Sequence, residues 1–270
     1  MTETDVLAPL RSELLSRAGV VHGVTHRTSS MPLGGDVSYV SGASDTSAVA
    51  ANRDRWSERL GTTGERWVCA QQVHGVSYSV TGEADAGRGA RSFEDAIPDT
   101  DILMSQTPGL ALTVFCADCT PVLLWDPVRR AATAVHAGWR GTVKNAAGAA
   151  VSGMRHEFGS EPSDLVAFIG PSIGPCCYEV GGEVFDFWRA GGLDPEDEAV
   201  NQRDGRSHFD LWTANRLALL NAGVPSENIE VAGQCTMCHP DRWFSHRASK
   251  GSAGRFAALI VVPPATPRQA

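Results

Sequence analysis

The stretch "TDILMSQTPGLALTVFCADCTPVLLWDPVRRAATAV", Thr100 to Val135, decides the fold class. It holds four apolar runs, "TDILMS", "LALTVFC", "PVLLWD" and "AATAV", separated by segments rich in Pro, Gly and Asp. No helix fits between them. A doubly wound fold alternates strand with helix, so four successive strands point to an α+β fold of mixed sheets with helices outside. Further strand-like runs lie outward of this block: "RWVCAQQV" (66–73) before it, then "LVAFIG" (165–170), "NIEVAG" (228–233) and "RFAALIVV" (255–262).

Helix signals flank these runs. Residues 44–60 start at Ser44 or Asp45 as N-cap and stop before Gly61. Residues 141–158 put Val143, Ala147, Ala150, Met154 and Phe158 on one face, with Gly159 as the stop. Residues 210–222 start at Asp210 and end before Gly223, and a shorter helix is expected near 181–190. The polar segment Thr81–Pro98 reads as a long exposed loop, and the tail "PPATPRQA" from 263 as disordered. With no repeat and no long linker, residues 1–270 read as a single domain.

The formal charge of −8 argues against a nucleic-acid partner, which needs a basic face. No apolar run approaches the length that spans a membrane. The polar, acidic start "MTETDVLAPLRSELLSRAG" is unlike a secretory signal, so the expected location is cytoplasmic. The seven cysteines are then expected as thiols or metal ligands rather than disulfides.

Four segments carry the chemistry: "QQVHG", "FCADCTPVLLWD", "AVHAGWRGT" and "CTMCHPDRWFSHR". His74, Cys119 and His136 each end or follow an apolar run beside a turn-prone residue. Strand ends are where distant positions converge. Two imidazoles and a thiolate suit zinc, and three protein ligands leave a position open. The bland alternative makes each a strand-end residue satisfied by backbone.

The two C-x-x-C pairs, Cys116/Cys119 and Cys235/Cys238, are too far apart in sequence for an ordinary Cys₄ site. "CTMCH" also matches the haem-attachment pattern, but that chemistry belongs to exported chains. Cys176–Cys177 reads as adjacent thiols at a turn, one buried and one exposed. H-E-x-x-H, the nucleobase-deaminase zinc pattern and H-x-H are all absent, so copper is poorly supported. Arg140, Lys144, Arg27, Arg53 and the backbone of Gly141–Thr142 offer positive charge and donors to an anionic substrate.

The blocks "QQVHG", "ADCTPVLLWDP", "AVHAGWRGT", "GPSIGPCCYEVG", "CTMCHPDRWFSHR" and "GRFAALI" together resemble the laccase-domain (polyphenol oxidase) family, of the purine nucleoside phosphorylase type. The resemblance runs from about Asn52 to Val262. It implies layered α/β/β/α architecture and a zinc held by His74, Cys119 and His136. It implies phosphorolysis of adenosine, inosine and methylthioadenosine, and adenosine deamination, with nucleosides and phosphate as partners and no obligate protein partner. His74, Cys119, His136 and Arg140 are then the expected catalytic residues, with Arg27, Asp118, Lys144 and Cys176 at the substrate. Asp118, Asp101 and Glu179 are the candidate acids or bases. At 26–42 the chain reads "HRTSSMPLGGDVSYVSG" and departs from the family's Arg-x-Gly-Gly-Val-Ser pattern.

Three other readings compete. One is an amidase acting on a peptidoglycan precursor, with Cys119 as nucleophile and a His as base. Another is a copper-dependent polyphenol oxidase. The third is a binding protein without catalysis.

Overall fold

The computed structural model describes residues 8–40, 45–194 and 196–264. Two sheets pack face to face, and helices cover their outer faces. The larger sheet holds six strands: β3 (Tyr78–Val80), β4 (Ile102–Ser105), β6 (Thr120–Asp126), β7 (Ala131–Ala137), β8 (Val166–Ile169) and β11 (Ile229–Val231). Their order is β11-β8-β6-β7-β4-β3. The smaller sheet holds four: β1 (Val21–Val24), β2 (Trp67–Cys69), β5 (Ala111–Cys116) and β12 (Phe256–Val261), in the order β1-β12-β5-β2. A hairpin of β9 (Val200–Arg203) and β10 (Arg206–Phe209) stands apart. Parallel and antiparallel pairs mix in both large sheets.

Strand periodicity explains the layering. Along β12, Phe256, Ala258 and Ile260 enter the inter-sheet core, while Ala257, Leu259 and Val261 face a helix. Along β6, Leu123 and Trp125 face the other sheet, and Val122 and Leu124 face outward to helices. Both faces are buried, so these strands read as continuous apolar runs rather than as alternating ones. A short α1 (Glu13–Arg17) precedes β1. The outer layers are α2 (Thr46–Leu60), whose Trp56 and Leu60 pack on the small sheet, and α4 (Ala146–Phe158) with α6 (Leu211–Asn221) on the large one. This is the expected layered α+β arrangement. Truncating one inter-sheet aromatic such as Phe256 to Ala is expected to cost about 3–5 kcal/mol.

The helix ends follow the sequence signals. Asp45 caps α2 by accepting from Ala48 N, and Gly61 ends it in the left-handed conformation. Asp210 caps α6 through Trp212 N and Thr213 N. Ser44 and the tail beyond Pro264 lie outside the described residues. Pro263 and Pro264 accept from Arg130 Nη2 at 2.8 and 2.6 Å.

Several expectations need correction. The helix expected over 141–158 is two: α3 (Trp139–Val143) and α4, broken at Asn145, whose φ is 66° and whose side chain caps α4. Gly141 and Thr142 therefore lie inside α3, and Thr142 N is already bonded to Gly138 O, so it is no free donor for an anion. The strand expected over 66–73 stops at Cys69. Thr81–Pro98 has no strand, but it is not simply exposed: Ala90, Ala96 and Ile97 are buried, and Arg53 holds the loop through Gly89 O and Ala90 O. Strands β1, β3, β9 and β10 were not read from sequence. Each has at most four residues.

Candidate metal centre and its cavity

Register places the three proposed ligands. In the β6–β7 hairpin Thr120 pairs with Ala137 and Pro121 with His136. Cys119, just before β6, is thus brought against the end of β7. The turn after β2 supplies His74. There Gln72 extends the sheet with its side chain, donating from Nε2 to Phe115 O (2.9 Å) and accepting from Phe115 N (2.8 Å). His74 itself sits at φ 60°.

Asp101 ties this turn to β7. Its carboxylate accepts from the backbone N–H of Val73 (3.2 Å), His74 (3.0 Å) and Gly75 (2.6 Å). Three amide donors on one carboxylate hold His74 in its left-handed conformation. Asp101 Oδ1 also accepts from His136 Nδ1 at 2.8 Å, with both side chains buried. A carboxylate cannot donate, so Nδ1 carries the proton and Nε2 faces the thiol. This carboxylate–imidazole pairing is how metal-binding histidines are oriented.

The donor atoms of His74, Cys119 and His136 all lie within 4.8 Å of one another, and the two rings are 4.9 Å apart at 73°. Burial opposes ionisation of Cys119, but the His136 and His74 rings outweigh it and draw the thiol down to about 6. Burial likewise opposes charge on His136, but Cys119 and Asp101 hold it up at about 9. Asp101 stays below the usual carboxylate range, because the His136 ring and the amide donors outweigh its burial. A thiolate with two imidazole nitrogens is a zinc-type donor set. The glycine after this strand is sterically required: a Cβ on Gly138 would lie 2.9 Å from His74 Cδ2 and 3.0 Å from Cys119 Sγ.

The trio lines a cavity of about 480 Å³, a size that suits a small organic ligand. Tyr39, Phe93, Phe115, Trp139 and Tyr178 give it aromatic walls, and Arg140, Arg247 and Arg255 reach it as cations. Arg140 is exposed, lies 4.3 Å over the Trp139 ring, and has no carboxylate partner among the described residues.

The other expected site residues are placed as follows. Asp118, at φ 83°, lines the cavity, but its carboxylate accepts from Thr236 Oγ1 (2.5 Å) and Arg247 N (2.7 Å). Arg53 also reaches the cavity. It is buried against Tyr39, Trp67 and Phe115 and spends its donors on Val37, Gly89 and Ala90 carbonyls. Arg27 lies in a separate shallow cleft, donating to Pro240 O at 2.7 Å. The divergent 26–42 segment meets the cavity through Ser38, Tyr39 and Val40 instead. Lys144 is exposed at the end of α3 and is not among the cavity's walls. Glu179 pairs with Arg206 at 2.9 Å, also outside it. Cys176 is exposed and Cys177 half-buried, so neither is the buried partner expected; both gather with Cys235 and Cys238 away from the cavity lining. Cys116 is buried in the core. Sequence reading did not separate Asp101 from the other carboxylates and missed Tyr178 and Arg247. The only signal for Asp101 was its place at the head of β4, next to the strand that delivers His136.

A three-donor centre open to a ligand-sized cavity is the arrangement of a catalytic metal site rather than a structural one. The chain belongs to the multi-copper polyphenol oxidoreductase laccase family, whose pattern matches residues 17–263. It is 39% identical over 248 residues to "Purine nucleoside phosphorylase YlmD" of Geobacillus stearothermophilus, covering 90% of each chain. It is 34% identical over 198 residues to "Adenosine deaminase RL5" of an unknown prokaryotic organism, covering 73% of this chain and 75% of that one. The crystal structure of YlmD from G. stearothermophilus superposes with a TM-score of 0.86 at 38% identity, covering 92% and 93%. No helix among the described residues is long and apolar enough to cross a membrane.

Proposed function

We propose that the chain is a zinc-dependent purine nucleoside enzyme. It would cleave adenosine, inosine and S-methyl-5′-thioadenosine with phosphate, and it would deaminate adenosine. The observation that carries this reading is the His74–Cys119–His136 trio, backed by Asp101, at the wall of an aromatic cavity with a cationic rim. The names of the curated relatives support the same reaction classes.

His74, Cys119 and His136 would hold the ion. Zinc in such a site supplies Lewis acidity and activates water. Zinc rather than copper is chosen because the described residues gather one histidine-containing cluster, whereas multicopper chemistry needs several. The aromatic walls give a flat purine two faces to stack on. Burial pushes the Tyr178 phenol up, so it remains a hydrogen-bond donor. Arg140, without a carboxylate partner among the described residues, is the proposed phosphate seat, since a guanidinium matches phosphate in two-point geometry. In phosphorolysis a phosphate oxygen attacks ribose C1′, the N-glycosidic bond breaks, and the purine leaves with a proton from solvent. In deamination water replaces the amine and ammonia leaves. Asp101 and Asp118 are already occupied by hydrogen bonds, so their proposed roles are positional.

Purified, zinc-loaded protein is expected to release hypoxanthine and ribose 1-phosphate from inosine only with phosphate, and to deaminate adenosine without it. No nucleoside turnover under either condition would defeat the reading. One observation favours a second reading: Cys119 Sγ lies within 4.8 Å of the His74 and His136 ring nitrogens, as a nucleophile lies beside its base. An acyl-enzyme trapped on Cys119 with a muramyl-peptide precursor would support that amidase instead.

A further inference from the structure

Outside the cavity lining, a second set of metal-type donors gathers. The sulfurs of Cys176, Cys177, Cys235 and Cys238 all lie within 4.8 Å of one another. They come from two loops. "GPCCY" lies between β8 and α5 (Gly182–Ala190), and "CTMC" between β11 and β12. The loops run side by side through a Ser172–Cys235 bridge, with Thr236 N donating to Ser172 O (3.0 Å) and Ser172 N to Gln234 O (3.3 Å).

The sulfur geometry suits one ion. Cys238 Sγ is 3.5 Å from Cys176 Sγ and 3.4 Å from Cys177 Sγ. Zinc–sulfur bonds of about 2.3 Å in a tetrahedron imply sulfur–sulfur edges of about 3.8 Å. A disulfide needs about 2.05 Å. A backbone donor already points at the sulfur set: Gly174 N lies 3.3 Å from Cys235 Sγ. Arg203 Nη1 donates to Cys176 O at 3.4 Å, which brings a cation beside a cluster that would carry net negative charge.

We propose that Cys176, Cys177, Cys235 and Cys238 form a second metal site, which takes one thiophilic divalent cation of the zinc class. Four sulfurs complete the tetrahedron and leave no open position, so the role is structural. Each thiol gives up its proton to solvent on binding, and nothing is oxidised or reduced. The site joins two loops that build the cavity wall. The first carries Ile173 and Tyr178, and the second leads to His246 and Arg247. Asp118 fastens the same loops, since its carbonyl accepts from Ile173 N (3.0 Å) and its carboxylate from Thr236 and Arg247. Metal at the cysteines therefore fixes this part of the cavity wall without entering the His74–Cys119–His136 centre.

The test uses the full chain, reduced, loaded with zinc and desalted. Two zinc ions per chain are expected. X-ray absorption of the wild-type protein should report an average of two to three sulfurs per zinc, against one if only the His74–Cys119–His136 centre fills. With cobalt in place of zinc, strong thiolate-to-metal absorption should persist in the His74→Ala, His136→Ala double variant. In Cys176→Ser, Cys238→Ser it should fall to the level of the single Cys119 thiolate, leaving one ion per chain. If that second variant does not fold, the wild-type sulfur count still decides. One zinc with about one sulfur, or native Cys238 in a disulfide, would overturn the proposal. Neither outcome bears on nucleoside turnover, so the two proposals fail separately.

Discussion

His22 and His136 are both buried strand imidazoles, 0% and 2% exposed, and they titrate in opposite directions. Among the described residues, the His22 ring on β1 hydrogen-bonds only to backbone groups. Its Nδ1 donates to Val20 O (2.9 Å), and its Nε2 accepts from Ser12 N (2.8 Å). Burial dominates there and lowers its pKa. His136 on β7 has a carboxylate on one nitrogen and a thiol at the other, and it is held up at about 9 despite burial. Burial alone thus says little about what a histidine does. The charge of its partners separates a packed core ring from one in a candidate metal site.

The hardest blow to this contrast removes the charged side. The His74→Ala, His136→Ala variant is expected to lose the cavity metal and about a thousandfold or more of nucleoside turnover, in line with the several kcal/mol a catalytic ion supplies. Chelation of the wild type should do the same, and zinc should restore it. Near-normal turnover in a metal-free double variant would show that the trio is not the centre.

A subtler change makes His136 more like His22. Asp101→Asn keeps an oxygen for His136 Nδ1 but removes the charge. Loss of such a supporting carboxylate typically costs 10–100-fold in metal affinity or activity, and a drop of about that size is expected. The melting temperature checks the interpretation: a metal-affinity loss with little change in the reloaded protein's stability marks a positioning role. Unchanged metal affinity would remove Asp101 from the account.

Arg140→Lys tests the rim rather than the floor. A drop of about tenfold in inosine phosphorolysis is expected, carried mainly by a higher phosphate KM, because an ammonium cannot offer two parallel donors. Adenosine deamination should change little. Equal losses in both reactions would place Arg140 at the nucleoside instead of at phosphate.

The fold class was legible in the sequence because both faces of β5, β6 and β7 are buried, which leaves long apolar runs. Strands β1 and β3 stayed hidden because neither is a continuous apolar run: His22 and Gly23 interrupt β1, and β3 is largely exposed. The proposed trio was readable because each residue ends or follows an apolar run beside a turn-prone residue, although in the structure β2 stops at Cys69 and His74 lies in the turn beyond it. The four-cysteine cluster was not readable. Its two pairs lie far apart along the chain, and the Ser172–Cys235 bridge that brings them together is a tertiary contact. The break at Asn145 was also invisible, because the apolar face continues across it from Val143 to Ala147.

The smallest expected effect lies at the backbone-partnered ring. Ser12 N–H donates to His22 Nε2, so protonation of that nitrogen would set two donors against each other in a buried place. The folded pKa lies below the ordinary value of 6.5, so the unfolded chain binds more protons and stability rises with pH. The contribution is present in full above about 6.5 and is lost as pH falls towards the folded value. His22→Gln removes the titration and leaves Ser12 N with a weaker partner or none. A cost of about 1–3 kcal/mol at neutral pH is expected, together with a shallower decline in melting temperature between about pH 7 and 5. An unchanged decline would place the acid sensitivity elsewhere, with the buried, pKa-lowered His26 as the next ring to test.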